Sequence, residues 1–219
     1  MTSDDGVTRR AARLRSRWDR EAPGYDRAFA AAERRMFPDV RRRLCARAEG
    51  RTLEVAVGTG LNLEHYPRAV LGGRYTGVEW SPGMLDLARR RAARLGPGTD
   101  VDLRLGDAQA LDLPDDAFDT VVCTFSLCAI PDDRAALDEM TRVLRPGGLL
   151  LLADHVGSSV WPLYALQALA DLVSVPLAGE HFRRRPLRGV RERGLVVEEH
   201  ERTRAGVIEH LAARLPVSD

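Results

Sequence analysis

From residue 52 onward, short apolar runs alternate with stretches whose apolar positions recur every three to four residues. The runs are TLEVAV, YTGVEW, VDLRLGD, FDTVVCTF and LLLLADH; LNLEHYPRAV, PGMLDLARRRAARL and DRAALDEMTRVLR lie among them. Short apolar runs point to strands and 3.6-residue spacing to helices. Their alternation predicts an α/β fold, with a parallel sheet covered by helices on both faces. Ser81 before Pro82 predicts a helix N-cap, and Pro146-Gly147-Gly148 predicts a stop for a helix reaching Arg145.

Residues 8–48 read as helix, with Leu14, Trp18, Phe29, Met36, Val40 and Leu44 at roughly helical spacing. Ala22-Pro23-Gly24 predicts a break there, so two helices are expected ahead of the core. After His155 an apolar helical stretch, SVWPLYALQALADLVSVPLAG, replaces the usual short crossover, and GLVVEEHERTRAGVIEHLAARLP reads as two final strands. The expected organisation is one domain over 1–219: N-terminal helices (1–48), a core (50–155), further helices (156–194) and the final strands (195–219).

Composition narrows the class. Of 219 residues, 44% are apolar and 30% charged, as in an ordinary soluble domain. All 33 basic residues are Arg, yet 32 acidic residues balance them to a net +1, so no nucleic-acid partner is expected. The odd set Cys45, Cys123 and Cys128 makes no disulfide framework and suits a reducing cytoplasm. The N-terminal stretch lacks an export signal's apolar core, and no apolar run is long enough to span a bilayer.

In an open parallel sheet, ligands lie beyond the carboxyl ends of the strands. The first strand ends in Val57-Gly58-Thr59-Gly60, where glycines let the backbone turn sharply and approach a ligand bare. The next two end in Glu79-Trp80 and in Asp107-Ala108-Gln109. Glu79 lies 25 positions after Glu54, and Asp107 lies 28 beyond Glu79.

With Glu54-Val55-Ala56-Val57-Gly58-Thr59-Gly60, these residues make 50–155 resemble the class I S-adenosylmethionine-dependent methyltransferases. Ala56 stands where that family usually has its first glycine. The resemblance implies a three-layer Rossmann-like sandwich whose mostly parallel seven-stranded sheet carries a last antiparallel strand, with N-terminal lid helices. It also implies S-adenosylmethionine as cofactor, lined by Tyr25, Glu54, Ala56, Gly58, Gly60, Glu79, Trp80, Met84, Asp107, Ala108, Gln109 and Thr124. By the same resemblance Glu54 orients the methionine end and Asp107 accepts from the adenine amine. Glu79 accepts the ribose hydroxyls, Trp80 with Met84 or Leu111 walls the base, and Tyr25 covers the cofactor. A nicotinamide-dependent oxidoreductase uses a similar sheet, but Leu63 stands where G-x-G-x-x-G needs its third glycine. A cofactor-binding protein without turnover is the other alternative.

LEVAVGTGLNLEHYP, FSLCAIPDDRAALDEMTRVLRPGGLLLLADHV and GEHFRRRP resemble a branch holding bacterial phospholipid N-methyltransferases and alkyl-thiol methyltransferases, with quinone-biosynthesis methyltransferases more distant. The expected acceptor is therefore a small or lipid-like molecule with an amine, thiol or hydroxyl. His155 and His181 are candidates for proton transfer, against the plainer reading of structural histidines. Arg183, Arg184 and Arg185 suit a phosphate head group, against the favoured reading of a solvated face. The run Arg9, Arg10, Arg13, Arg15 and Arg17 suits an anionic membrane, but a solvated face is the favoured reading because the first helix has few large apolar residues to insert. C-x4-C at Cys123 and Cys128 is poor metal spacing, and no metal is expected.

Overall fold

A computed structural model of the chain describes residues 3–203 and 205–217. Helix α1 (Ser3–Met36) and the short α2 (Val40–Cys45) precede strand β1 (Thr52–Val55). Then come α3 (Arg68–Leu71), β2 (Gly72–Glu79), α4 (Pro82–Ala92), β3 (Asp100–Leu105), β4 (Phe118–Thr124), α5 (Asp133–Val143) and β5 (Leu144–His155). Helices α6 (Trp161–Ala178) and α7 (Pro186–Glu192) lead to β6 (Val196–Thr203) and β7 (Ile208–Arg214).

The strands form one seven-stranded sheet in the order β3-β2-β1-β4-β5-β7-β6. β1 to β5 run parallel, and β7 inserts antiparallel between β5 and β6. Alternation along β5 shows why the sheet is buried on both faces. Leu150 and Leu152 pack with Leu53, Val121 and Met140 on one side, while Leu149, Leu151 and Ala153 pack with Val40, Leu44 and Phe37 on the other. The chain winds outward from β1 through β2 to β3, then returns to β4 on the opposite side of β1. That reversal opens a crevice beyond the carboxyl ends of β1 and β4.

Three local expectations are corrected. α1 continues through Pro23 as one helix, and the chain turns instead at Phe37-Pro38-Asp39, with Asp39 in the left-handed region (φ 67°). Anchors on both sides of Pro23 hold the helix in line. Asp19 accepts from Ser81 Oγ (2.6 Å) and Gly83 N (2.9 Å), and Asp26 accepts from Thr59 Oγ1 (2.6 Å) and Arg91 Nη2 (2.5 Å). Met36, one of the apolar positions read in this stretch, has a side chain outside the described residues. Second, α5 ends at Val143, so Pro146-Gly147-Gly148 belongs to the start of β5. Third, β1 stops at Val55 because Ala56 has φ 58° and leaves the strand.

The N-cap at Ser81 forms as expected: its side chain accepts from Met84 N at 3.1 Å, with Pro82 in the first turn. All three cysteines are free and buried. Among the described residues, no helix is long and apolar enough to cross a membrane.

Candidate active site

A cleft opens at the crevice, roofed by α1 and floored by the ends of β1, β2, β3 and β4. It is lined by Trp18 and Tyr25 from α1, Ala56 and Gly58 from the glycine turn, and Glu79, Trp80 and Met84 after β2. Asp107, Ala108 and Gln109 line it after β3, and Phe125, Ser126, Ala129, Ile130 and Pro131 after β4. Nine of the twelve residues expected around the cofactor therefore meet in one place.

Glu79 is the best organised of them. Gly58 N donates to its Oε2 and Ser81 N to its Oε1, each at 2.8 Å, so two backbone dipoles fix the carboxylate and leave lone pairs for a ligand. Burial pushes the Glu79 carboxyl above its usual value, and the Ser81 and Gly58 N–H groups pull it partly back. Asp107 is shaped locally, since its Oδ1 accepts from Gln109 N (2.9 Å) and Gln109 Nε2 (2.8 Å). Gly58 sits at φ +60° with no atom within 4 Å of where a Cβ would stand. A side chain there would fill the space a ligand needs.

Glu54, Gly60 and Thr124 are not in the lining. Glu54 lies beneath it, fully buried, with Oε1 accepting from Asn62 Nδ2 (2.8 Å) and Oε2 from Tyr66 Oη (2.8 Å) and Tyr75 Oη (2.7 Å). Burial raises its pKa, against the pull of those donors and of Arg41. With three protein donors on its two oxygens, Glu54 ties the turn and β2 together. Gly60 (φ +83°) serves packing: a Cβ would come within 2.9 Å of Leu63 Cδ1 and 3.2 Å of Ala88 Cα. Thr124 Oγ1 accepts from Arg41 and Asn62 in the same buried network, and Leu111 lies in the core.

Arg41 is not among the residues that the sequence singles out, since it sits in an Arg-rich run of the kind that forms a solvated face. Its guanidinium is buried, donating to Asn62 Oδ1 (2.9 Å) and Thr124 Oγ1 (2.7 Å) and pairing with Glu33 (2.9 Å). It also lies over the rings of Phe29 and Phe125, 5.2 and 4.7 Å from their centroids. Phe125 itself has φ 54°, an uncommon conformation for a bulky residue, held by stacking on Phe37 at 4.6 Å. A buried Arg demands paired partners, and those are invisible until the fold places them.

His155 lies outside the lining, with its ring packed among Phe125, Phe37 and Phe29 at 5.5 to 6.4 Å. Burial lowers its pKa, so the ring is held neutral. His181 is also outside; its backbone N–H donates to Cys128 O. Arg184 and Arg183 are occupied as well. Arg184 donates to the carbonyls of Leu127, Ile130 and Pro131, clamping the loop that walls the cleft, and Arg183 pairs with Asp171. Cys128, Asp154 and His155 do bring three potential metal ligands within 4.8 Å of one another, a grouping that C-x4-C spacing concealed. Asp154 accepts from Cys128 N (3.0 Å) and His155 N (2.7 Å), which accounts for its place without an ion.

The fold and a cleft of carboxylates around a bare glycine turn define a nucleoside-cofactor enzyme, and the comparisons with known proteins specify it. A methyltransferase-domain family model matches residues 53–152. A phosphatidylethanolamine N-methyltransferase from Cereibacter sphaeroides is 39% identical over 146 residues, covering 65% of this chain and 68% of that protein. A demethylmenaquinone methyltransferase from Renibacterium salmoninarum is 35% identical over 130 residues, and there the match spans about half of the relative's length (52%). In fold, the chain is similar to an S-adenosylmethionine-dependent methyltransferase from Thermotoga maritima, with a TM-score of 0.64 and 23% identity over 90% of this chain and 97% of that one. The chain belongs to the S-adenosylmethionine-dependent methyltransferases. Its cofactor is S-adenosylmethionine.

Proposed function

We propose that this methyltransferase transfers its methyl group to the amine of an amphiphilic acceptor of the phospholipid head-group kind. The observation that carries this reading is the charge of the cleft. Among the described residues lining it, Glu79 and Asp107 are the ionisable acids, no Arg or His contributes, and four aromatic residues, Trp18, Tyr25, Trp80 and Phe125, face the space. Such a lining suits a cation, because ring faces and carboxylates both attract positive charge.

Bound S-adenosylmethionine supplies an electrophilic methyl on a sulfonium. Glu79 holds the ribose hydroxyls, the Asp107–Gln109 loop reads the base, and α1 roofs the cleft to exclude water. When a neutral amine is the acceptor, one positive charge persists throughout and passes from sulfur to nitrogen, so the same aromatic wall serves both ends of the transfer. A thiolate or phenolate would find no Arg or His side chain in the lining to pair with. His155 stands behind Phe125, so the amine enters as its free base and positioning contributes most of the acceleration, about 7–11 kcal/mol in well-oriented transfers. The name of the Cereibacter relative supports the amine and the lipid character of the acceptor.

The test is S-adenosylhomocysteine formation with phosphatidylethanolamine in detergent micelles, an alkyl thiol and a phenol. Turnover of the phosphatidylethanolamine is expected. Turnover with the thiol or phenol alone would overturn the amine assignment.

A further inference from the structure

Helix α6 is built inside out. Its exposed positions, including Trp161, Leu166, Leu169, Leu172, Val173 and Leu177, fall on a continuous arc of about 160° at 100° per residue, and every residue on that arc is apolar. Trp161, Leu172 and Leu177 are 71–78% exposed. The polar residues face the protein instead. Gln167 bonds Ser158 N, Val156 O and Phe182 O; Asp171 bonds Phe182 N and Arg183; Ser174 Oγ donates to Glu180 O. Seven of the ten large apolar side chains most exposed among the described residues lie on α6 or its N-cap, Val160. A helix normally hides such a face.

Arginines flank it on both sides. α1 runs along its C-terminal half, with Arg10 Nη2 donating to Val175 O (3.2 Å), Arg17 Nη1 to Ala178 O (2.7 Å), and exposed Arg13 on the same stripe between them. On the other flank, Arg183 and Arg185 lie over the Tyr164 ring at 5.6 and 5.9 Å. Nearby acids are engaged: Glu21 and Glu180 pair with Arg17, and Asp171 with Arg183. Trp18, beside Arg17, lines the cleft, so the α1 flank of this face leads to the active site.

We infer that the α6 face with its arginine flanks is a docking surface for an anionic phospholipid bilayer, seating the enzyme with its cleft mouth at the lipid interface. Apolar side chains that insert, a tryptophan at the helix start and guanidinium groups at head-group level are the chemistry of an interfacial helix. A second copy of the chain is the poorer occupant, because a two-fold contact would bring arginine flanks together. The apolar element that α1 lacks is supplied here by its neighbour.

This inference deepens the reading of the acceptor as an amphiphile, but its test needs no turnover. Full-length protein is cosedimented with vesicles of phosphatidylglycerol and phosphatidylcholine in equal parts, and with pure phosphatidylcholine, at low salt. Binding to the anionic vesicles is expected, at least tenfold weaker on phosphatidylcholine and at least tenfold weaker for L169E/L172E. Arg13→Glu should weaken it about threefold. Circular dichroism of the variants checks folding, and both leucines are exposed enough to be replaced without touching the core. No sedimentation of the wild type, undiminished binding of L169E/L172E, or a concentration-dependent dimer that this variant dissociates without vesicle binding would each overturn the proposal. Vesicle binding without methylation of any lipid would leave the docking surface standing and remove the acceptor reading; methylation in micelles without vesicle binding would do the reverse.

Discussion

The two ends of the cleft are built on opposite principles. At the cofactor end, carboxylates are fixed by backbone N–H groups and a glycine turn, so polar geometry is set before any ligand arrives. At the acceptor end, the walls are aromatic and aliphatic, and the polar groups, Arg41, Arg184, Asp154 and His155, stand behind them holding loops in place. A nucleoside cofactor rewards fixed hydrogen bonds, whereas the amphiphilic acceptor we propose needs a shaped apolar wall with few polar demands.

That contrast can be broken in graded ways. The largest effect on binding is expected from Glu79→Ala. It removes two charge-assisted bonds of about 1.5–3 kcal/mol each and orphans two N–H groups, so cofactor affinity should fall by on the order of 100-fold or more. Titration calorimetry showing unchanged affinity would remove Glu79 from the cofactor's ribose. Arg41→Met should mainly cost stability, by about 3 kcal/mol, because it strips the buried partner from Glu33, Asn62 and Thr124. A melting temperature lowered by roughly 6–12 °C is the expected readout. If Arg41 instead contributes to the site, affinity would fall with stability intact.

Acid should act at the cofactor end first. In its proposed role Glu79 accepts both ribose hydroxyls strongly only when ionised, and its carboxyl sits above the ordinary range, so cofactor affinity should drop as pH falls through that raised value, earlier than for an exposed glutamate. Glu79→Gln should abolish this acid limb, as followed by the pH dependence of cofactor affinity. Ala56→Gly probes the cost of a left-handed alanine. Relieving φ 58° should add about 1 kcal/mol, or roughly 2–4 °C in melting temperature. The smallest effect is expected from His155→Phe, which keeps the aromatic packing. Turnover within about threefold of wild type would fit a positioning role through Phe125, whereas a drop of on the order of 100-fold with a lost pH limb would make His155 the base.

Much of the cofactor end is legible in the amino-acid sequence. Strand-to-loop boundaries carry their own local signals, so Gly58, Glu79 and Asp107 fall at the ends of β1, β2 and β3 where the alternation puts them, and Ser81-Pro82 marks its helix start. Glu54 carries the right pattern, but its buried partners are not legible, because Tyr66 and Tyr75 reach its carboxylate from elements that spacing does not relate to it. Pro23 misleads for the same reason: the bonds of Asp19 and Asp26 to α4 and the glycine turn are long-range.

The sequence by itself determined the alternating sheet and the order of carboxylates at its strand ends, since local periodicity and turn chemistry are written in neighbouring residues, and the class of cofactor followed from the family resemblance that those carboxylates complete. Only the tertiary structure decided which face each element shows. The apolar stretch from 159 to 179 could have been a core helix, and it became an exposed one because Gln167, Asp171 and Ser174 found their partners inside. Period reveals a pattern, but burial is settled by what the rest of the chain brings against it.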